Sequence, residues 1–453
     1  MSNLGTKKDF GRRVVVTGMG LVSAAGLTLE DIWTTCQSGK SCVHPYQPKD
    51  AACSPLRYAA PVDEFTGDIA NFGTLEDSFK KVIRKGLKLM SREIQMGVAS
   101  AQRALHDAGV AAGALNPERT GVSFASDYII TTPDEVAAGM MSCTHDGNFD
   151  FSRWAQEGLP KMTPVWQLKF LPNMPASHIC IFNQFRGPCN AITGREASIG
   201  MAVGEAVEII RAGKSDVMLV GATGSRLHPF KLIHALFQGD VADADLPPET
   251  VSRPFDPGRC GMVLGEGAGA LLLEDEEHAL QRGARIYAEV VGGTYRTCNS
   301  HFLKDGTRVQ GNLPVPDVEE SLVSTMKALF KRLEFSPADF DSISSGSFSS
   351  QTLDAAEARA IRRVLGDGAD QKPVTTIKGH IGNPGAGGGA IDLILSILSL
   401  QKGVLCPILN NATDDANCPV RPVRTNDVPA GNAFLKLAFE RFGQSSAVFV
   451  RKV

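Results

Sequence analysis

Two segments of this chain must sit at the centre of whatever it folds into. CNAIT (189–193) runs through a glycine turn into a helical stretch whose Ile199, Val203, Ala206, Ile209 and Ile210 share one face, then through AGKSD into the strand VMLVGA. PVTTIKGHIGNPGAGGG (373–389) leads in the same way into AIDLILSILSL, which is apolar on nearly every side. A helix that is apolar all round has to be covered all round, and the flanking strands are apolar runs of the kind buried on both faces. Two such units predict a layered α/β protein of two similar halves, each with a central helix. The 453 residues suffice for two domains or one large duplicated one. The join falls near residue 272, where LLLEDEEHALQRGARIYAEVVGG passes from strand through a charged helix to a new strand, giving halves 1–272 and 273–453.

Charge and composition close off several functions. The net charge of −3 gives no general pull towards nucleic acid or anionic membrane. The ten cysteines, Cys36, Cys42, Cys53, Cys143, Cys180, Cys189, Cys260, Cys298, Cys406 and Cys418, are scattered without a CxxC pair. Neither a metal site nor a disulfide framework is expected, and a reducing, cytoplasmic setting fits. MSNLGTKKDFGRR has no apolar core behind its charges, and the longest apolar run, near 390–400, is too short to span a bilayer. RRVVVTG (12–18) predicts the first strand. GMGLVSAAG after it lacks the third glycine and the acidic partner of a dinucleotide loop, so it is read as a tight turn, and no cofactor is expected. Segment 74–108 predicts a helix, basic and then Ala-rich, on which Lys81, Lys85, Lys88 and Arg92 share a face. That face is either merely solvated or a docking surface for an acidic partner.

The stretches VVVTGMGLVSAAG, LPNMPASHICIFNQFRGPCNAIT, AGKSDVMLVGA and SSAVFVRKV, and most specifically SRPFDPGRCGMVLGEGAG, resemble the β-ketoacyl-ACP synthases of the type II elongating kind. The resemblance runs over essentially the whole chain. It implies the thiolase fold, five layers α-β-α-β-α from two similar halves, and a dimer with its active site near the interface. It also implies a chemistry. A cysteine thiolate at a helix N-terminus takes an acyl group, and two histidines assist decarboxylation of a malonyl thioester and stabilise the attacking enolate.

This chain departs from that pattern at each reacting group. Counted from Gly187-Pro188, the cysteine position in Gly194-Arg195-Glu196-Ala197-Ser198 is Glu196. Cys189, seven residues earlier, reads as a small core residue of the strand. SISSGSFSSQTLDAAEARAIRRVLG puts Ser345 at the first histidine, with one residue of play in the loop. KGHIGNPGAGGGAID retains the motif lysine as Lys378 and has Asn383 at the second histidine, while His380 would need a three-residue slip. The glycine-flanked gate loop becomes Ala438-Phe439-Glu440-Arg441-Phe442-Gly443, with Arg441 at the gate and Phe442 beside it, which implies a stiffer, charged gate.

The expectation is therefore a non-condensing, chain-length-factor-like partner of an active ketosynthase in fatty-acid or polyketide assembly. Its partners would be that subunit or a second copy of itself, and an acyl carrier protein docked on Lys81, Lys85, Lys88 and Arg92. Two other readings stand beside it: an acyl-thioester enzyme using Glu196 as acid or base, and a homodimeric acyl- or carrier-binding protein without chemistry. A helix N-terminus stabilises a carboxylate by only ~0.3–1 kcal/mol, less than burial costs it. Glu196 should then have a cationic partner, with Lys378 the first choice ahead of Arg441 and Arg195.

Overall fold

Val14–Ser23 (β1), the apolar run that opens the chain, is buried along its whole length near the middle of a 13-stranded sheet. The computed structural model describes residues 11–47, 56–238, 240–300 and 315–453. The other strands of that sheet are His44–Pro45 (β2), Tyr58–Ala60 (β3), Thr120–Ser126 (β4), Cys189–Thr193 (β5), Val217–Ser225 (β6) and Leu264–Asp275 (β7). Ala288–Thr297 (β8), Ser342–Ser344 (β9), Pro373–Thr375 (β10), Arg421–Pro422 (β11), Ala433–Phe439 (β12) and Gln444–Arg451 (β13) complete it. The order is β11-β10-β9-β12-β13-β8-β1-β7-β6-β4-β5, with β3 added to β7 and β2 to β3. Where β1 meets β8 the ladder is short, pairing Val15 with Glu289 and Val16 with Ala288, and there the sheet divides into halves.

The principal helices are Leu29–Ser38 (α1), Asp77–Gly86 (α2), Arg92–Asp107 (α3), Pro133–Ser142 (α4), Met174–Asn183 (α5), Ser198–Arg211 (α6) and Pro229–Gln238 (α7). Val318–Leu333 (α8), Gln351–Leu365 (α9) and Ala386–Lys402 (α10) follow. As their apolar circumference requires, α6 and α10 lie inside, in contact with strands of both halves and with each other. Outside, α3 covers β1, β6 and β7, while α8 covers β8 and β13 with α9 against it. This is the five-layer, thiolase-like arrangement that the resemblance implies.

Three local expectations need correction. Segment 74–108 is two helices rather than one, because Met90 takes an extended conformation between them. Cys36 of α1 and Cys406, which follows α10, form a disulfide across 370 residues of sequence, with Cα atoms 6.0 Å apart. A pairing so remote leaves no spacing signal. Cys189 is exposed rather than part of the core, because β5 is the last strand of the sheet; Cys53 lies outside the described residues. Among those residues no helix is long and apolar enough to cross a membrane.

The glycine run that opens α10 exists because this helix starts directly against the backbone of the sheet. A Cβ on Gly387 would lie 2.0 Å from the carbonyl oxygen of Gly267 in β7 and 3.2 Å from the amide nitrogen of Gly224 in β6. Both obstacles are backbone atoms of a buried sheet and cannot swing aside. Gly387→Ala should therefore lower stability in denaturant unfolding by about 1–3 kcal/mol or more. Gly368→Ala, where a Cβ would meet nothing within 4 Å, should stay within about 0.5 kcal/mol of wild type.

Candidate functional site

Strands β4, β5 and β6 are parallel, and Ser126 at the end of β4 lies beside Thr193 of β5 and Thr223 of β6. Their carboxyl ends open on one rim, the place where α/β sheets present functional groups. Residues just beyond each end gather there: Asp127 after β4, Glu196 after β5 and Arg226 after β6. Arg195, at φ +48°, and the tight turn Arg195–Ala197 carry Glu196 inward to 4% exposure at the start of α6.

Glu196 Oε1 accepts hydrogen bonds from Arg226 Nη2 at 2.5 Å and from Asn383 Nδ2 at 2.9 Å. Asn383 is held in turn by the backbone N–H of Gly385, which donates to its Oδ1 at 3.1 Å. Arg226 is 3% exposed, and its Nε lies 3.8 Å from Asp127 Oδ2. Burial pushes the Glu196 carboxyl up, but the charge of Arg226, the hydrogen bond from Asn383 and the nearby Arg195 outweigh it and hold the group below the usual carboxylate range. Burial likewise disfavours the Arg226 cation, and Glu196 and Asp127 more than restore it. The arrangement is a buried ion pair in which Glu196 Oε1 takes two hydrogen bonds, while Arg226 Nε and the Asp127 carboxylate face each other at 3.8 Å, beyond hydrogen-bond distance.

The expected cation is present, but it is Arg226. Lys378 donates instead to the carbonyl of Gly346 at 2.7 Å and stands over the Phe348 ring at 4.5 Å. Arg195 lies between the rings of Tyr128 and Phe442, 5.2 and 4.8 Å from their centroids. Arg441 and Phe442 occupy the hairpin turn between β12 and β13. There the buried Glu440 carboxylate accepts from the backbone N–H groups of Phe442 at 2.8 Å and Gln444 at 2.9 Å, closing the turn on itself.

Ser345 belongs to a second buried group. Its hydroxyl donates to Glu357 Oε2 at 2.7 Å, and the Gly346 N–H donates to Oε1 at 2.8 Å. Burial pushes the Glu357 carboxyl up to about 7 in spite of these bonds. Lys436, 1% exposed within β12, donates to the carbonyl of Ser345 at 2.8 Å and pairs with Asp392 at 3.3 Å. His380 is fully buried in the turn Lys378–Ile381, where burial pushes its pKa down to about 4. The side chain that reaches Glu196 is that of Asn383.

Lys81, Lys85 and Lys88 are exposed on α2 and the turn after it. Arg92 leaves their face. Its guanidinium is engaged by Glu266 at 2.7 Å and by the carbonyls of Phe65 at 2.5 Å and Val62 at 2.8 Å. Sequence reasoning missed Arg226, Asp127, Glu357 and Lys436. Arg226 had a signal, as a cation directly after the apolar strand VMLVGATGS, and so did Lys436, as a lone charge within the apolar run AFLKLAF.

Because Glu196 is held below its unfolded value, its contribution to stability is complete above the unfolded carboxylate pKa of about 4.3 and is lost as pH falls through the folded value. Glu196→Gln should therefore lower unfolding stability at neutral pH by about 3–5 kcal/mol, with Asp127 holding the loss towards the lower end. The gap between variant and wild type should close in acid. Denaturant melts at several pH values measure both effects.

The Beta-ketoacyl synthase, N-terminal domain family matches residues 11–279, and the Beta-ketoacyl synthase, C-terminal domain family matches residues 298–412. The chain is 28% identical over 407 residues to the 3-oxoacyl-[acyl-carrier-protein] synthase 2 of Coxiella burnetii, covering 90% of each chain. Among solved structures it is similar to a type II polyketide ketosynthase in complex with its acyl-carrier protein, at a TM-score of 0.79 and 25% identity over 98% of this chain and 100% of that one. It also shares the fold of the ishigamide ketosynthase/chain length factor, at a TM-score of 0.80 and 22% identity over 98% and 100%. With both halves matched in order along one polypeptide, the chain belongs to the beta-ketoacyl synthase family.

Proposed function

We propose that this chain is a non-condensing member of its family, one that supports and shapes the site of an active ketosynthase in fatty-acid or polyketide assembly as a chain-length factor does. The observation that carries this reading is the Glu196–Arg226 pair. At the position where the family resemblance puts a thiol nucleophile stands a carboxylate, dry and held as an anion by a guanidinium and an amide. A carboxylate so paired forms no thioester. Ser345 and Asn383, at the two histidine positions, have no imidazole to assist decarboxylation. The same pairing speaks against Glu196 as a general acid or base, since its carboxyl is lowered away from neutrality rather than raised towards it.

The surface supports a role beside a second subunit. Of the fifteen large apolar side chains exposed among the described residues, ten lie between Met140 and Phe237, including Met141 at 75%, Ile181 at 65% and Phe237 at 88%. β5, at the end of the sheet order, lies within the same span, and no strand among the described residues pairs with its outer edge. Ile181, 65% exposed, lies on α5, which packs against β5, and exposed apolar side chains beside a strand edge call for a covering chain. An active ketosynthase subunit is the favoured cover and a second copy of this chain the alternative. The exposed Lys81, Lys85 and Lys88 suit the acidic surface of an acyl carrier protein.

Incubated alone with acyl-carrier and malonyl-carrier thioesters, the chain should show no acyl adduct by intact-mass spectrometry and no condensation product. An adduct on any pocket residue would overturn the reading. In light scattering at micromolar concentration the chain should be a dimer or larger, and co-expression with an active ketosynthase should convert it to a heterodimer. A stable monomer under both conditions would count against the partner role.

A further inference from the structure

Apart from the Glu196 turn, the molecule holds a cavity of ≈ 550 Å³ between the start of α3, the start of α7 and the loop from Pro61 to Thr66. That volume lies within the range of about 300–1,000 Å³ typical of small-molecule sites. Val62, Phe65, Ile129, Phe170 and Leu227 make its apolar walls, and Ser91, Glu93, His228 and Lys231 make a polar patch.

The polar patch is unfinished. Glu93 Oε2 accepts from Lys231 Nζ at 2.6 Å, in an ion pair whose residues are 5% and 1% exposed. The other oxygen, Glu93 Oε1, is buried and has no hydrogen-bond partner among the described residues, and the same holds for Ser91 Oγ and His228 Nε2. Ser91 stands at the N-cap of α3, yet its hydroxyl caps nothing. The state of His228 follows from its surroundings. Burial, with the charges of Lys231 and His234, pushes its pKa down to about 4, so the ring is neutral. Its Nδ1 accepts from the backbone N–H of Phe230 at 3.2 Å, which leaves the proton on Nε2 as a donor. One buried acceptor, one buried donor and one hydroxyl are thus left over on the wall of one cavity. Native structures rarely leave such groups without a partner.

We propose that this cavity is a binding site for a neutral small molecule carrying a hydroxyl, or a hydroxyl with a neighbouring carbonyl, on an apolar body. The hydroxyl donates to Glu93 Oε1 and accepts from His228 Nε2, and a carbonyl accepts from Ser91. Charge selects against other ligands. Asp63, Glu93 and Glu266 outnumber Arg92 and Lys231 on the walls, so a carboxylate is repelled. Glu93 and Glu266 are already paired with Lys231 and Arg92, so an ammonium on the buried patch finds no carboxylate free of a cation; Asp63, beside the His44 imidazole, is exposed and stands away from that patch. The proposal rests on this cavity alone and does not depend on whether the chain condenses acyl groups.

The test is a ligand-detected NMR titration of the full chain with four probes of similar size. They are diacetone alcohol, a β-hydroxyketone; methyl isobutyl ketone, which lacks the hydroxyl; isocaproate, an anion; and isoamylamine, a cation. Diacetone alcohol should bind saturably and at least tenfold more tightly than the other three. Ser91→Ala, which removes no cap, should weaken it several-fold, and His228→Leu tenfold or more, with folding checked by circular dichroism. Absence of saturable binding by diacetone alcohol, equal binding of the plain ketone, preference for either ion, or wild-type affinity in a folded Ser91→Ala variant would each overturn the proposal.

Discussion

A carboxylate and a guanidinium share the rim where three parallel strands end, and much of the surrounding structure follows from keeping that pair dry. An isolated buried ion is far too costly to persist, and a buried pair leans on the further charges and hydrogen bonds around it. Asn383 supplies one hydrogen bond to Glu196, and Asp127 supplies a second negative charge beside Arg226. The backbone gives way to make room. Gly385 sits at φ +65°, where a Cβ would fall 2.1 Å from the Asp127 carboxylate, so this glycine answers both a left-handed turn and a close approach. The glycines at the start of α10 thus let one helix begin against bare sheet backbone while sparing space for a buried acid.

The second buried group shows the same economy with different parts. Lys378 and Lys436 each donate to a backbone carbonyl of the Ser345–Gly346 loop, and Glu357 accepts from the loop's N–H and hydroxyl. Two lysines and a carboxyl clamp one short stretch of main chain between β9 and α9. Burial lowers the Lys436 pKa, which Asp392 opposes, and raises that of Glu357. The loop is held by charges facing its backbone. Its side chains are small, Ser345, Gly346 and Ser347, and at Gly346 a Cβ would come within 2.9 Å of the Phe439 ring.

The layered fold was legible from the apolar strands and the two helices apolar all round, because burial on every side is written directly into composition. That Glu196 would need a cationic partner was legible as well, since burial of a lone carboxylate is costly, and the structure supplies one in Arg226. The partner of Glu196 was not. Lys378 is near in the motif, but which cation reaches a carboxylate is set by where neighbouring strands end, and that depends on pairing β4, β5 and β6 across a hundred residues of sequence. Arg92 had the right spacing for the lysine face, yet Glu266, a strand away, draws it inward, a tertiary effect that helical periodicity does not register. The Cys36–Cys406 bond was invisible for the same reason: two scattered cysteines reveal nothing until the fold brings α1 beside the end of α10.

Glu196, Arg226 and Asn383 interlock, and that has a consequence for descent. If a chain like this arose from one with a thiol at the turn, no single reversal leads back. Restoring cysteine strands the Arg226 cation without its anion. Replacing Arg226 strands the carboxylate. Changing Asn383 removes the amide that holds the carboxylate in place. Each one-step path crosses a less stable intermediate, so the trio works as an epistatic ratchet. A turn so closed by charge stays closed against drift, and selection can then act freely on the outer surface.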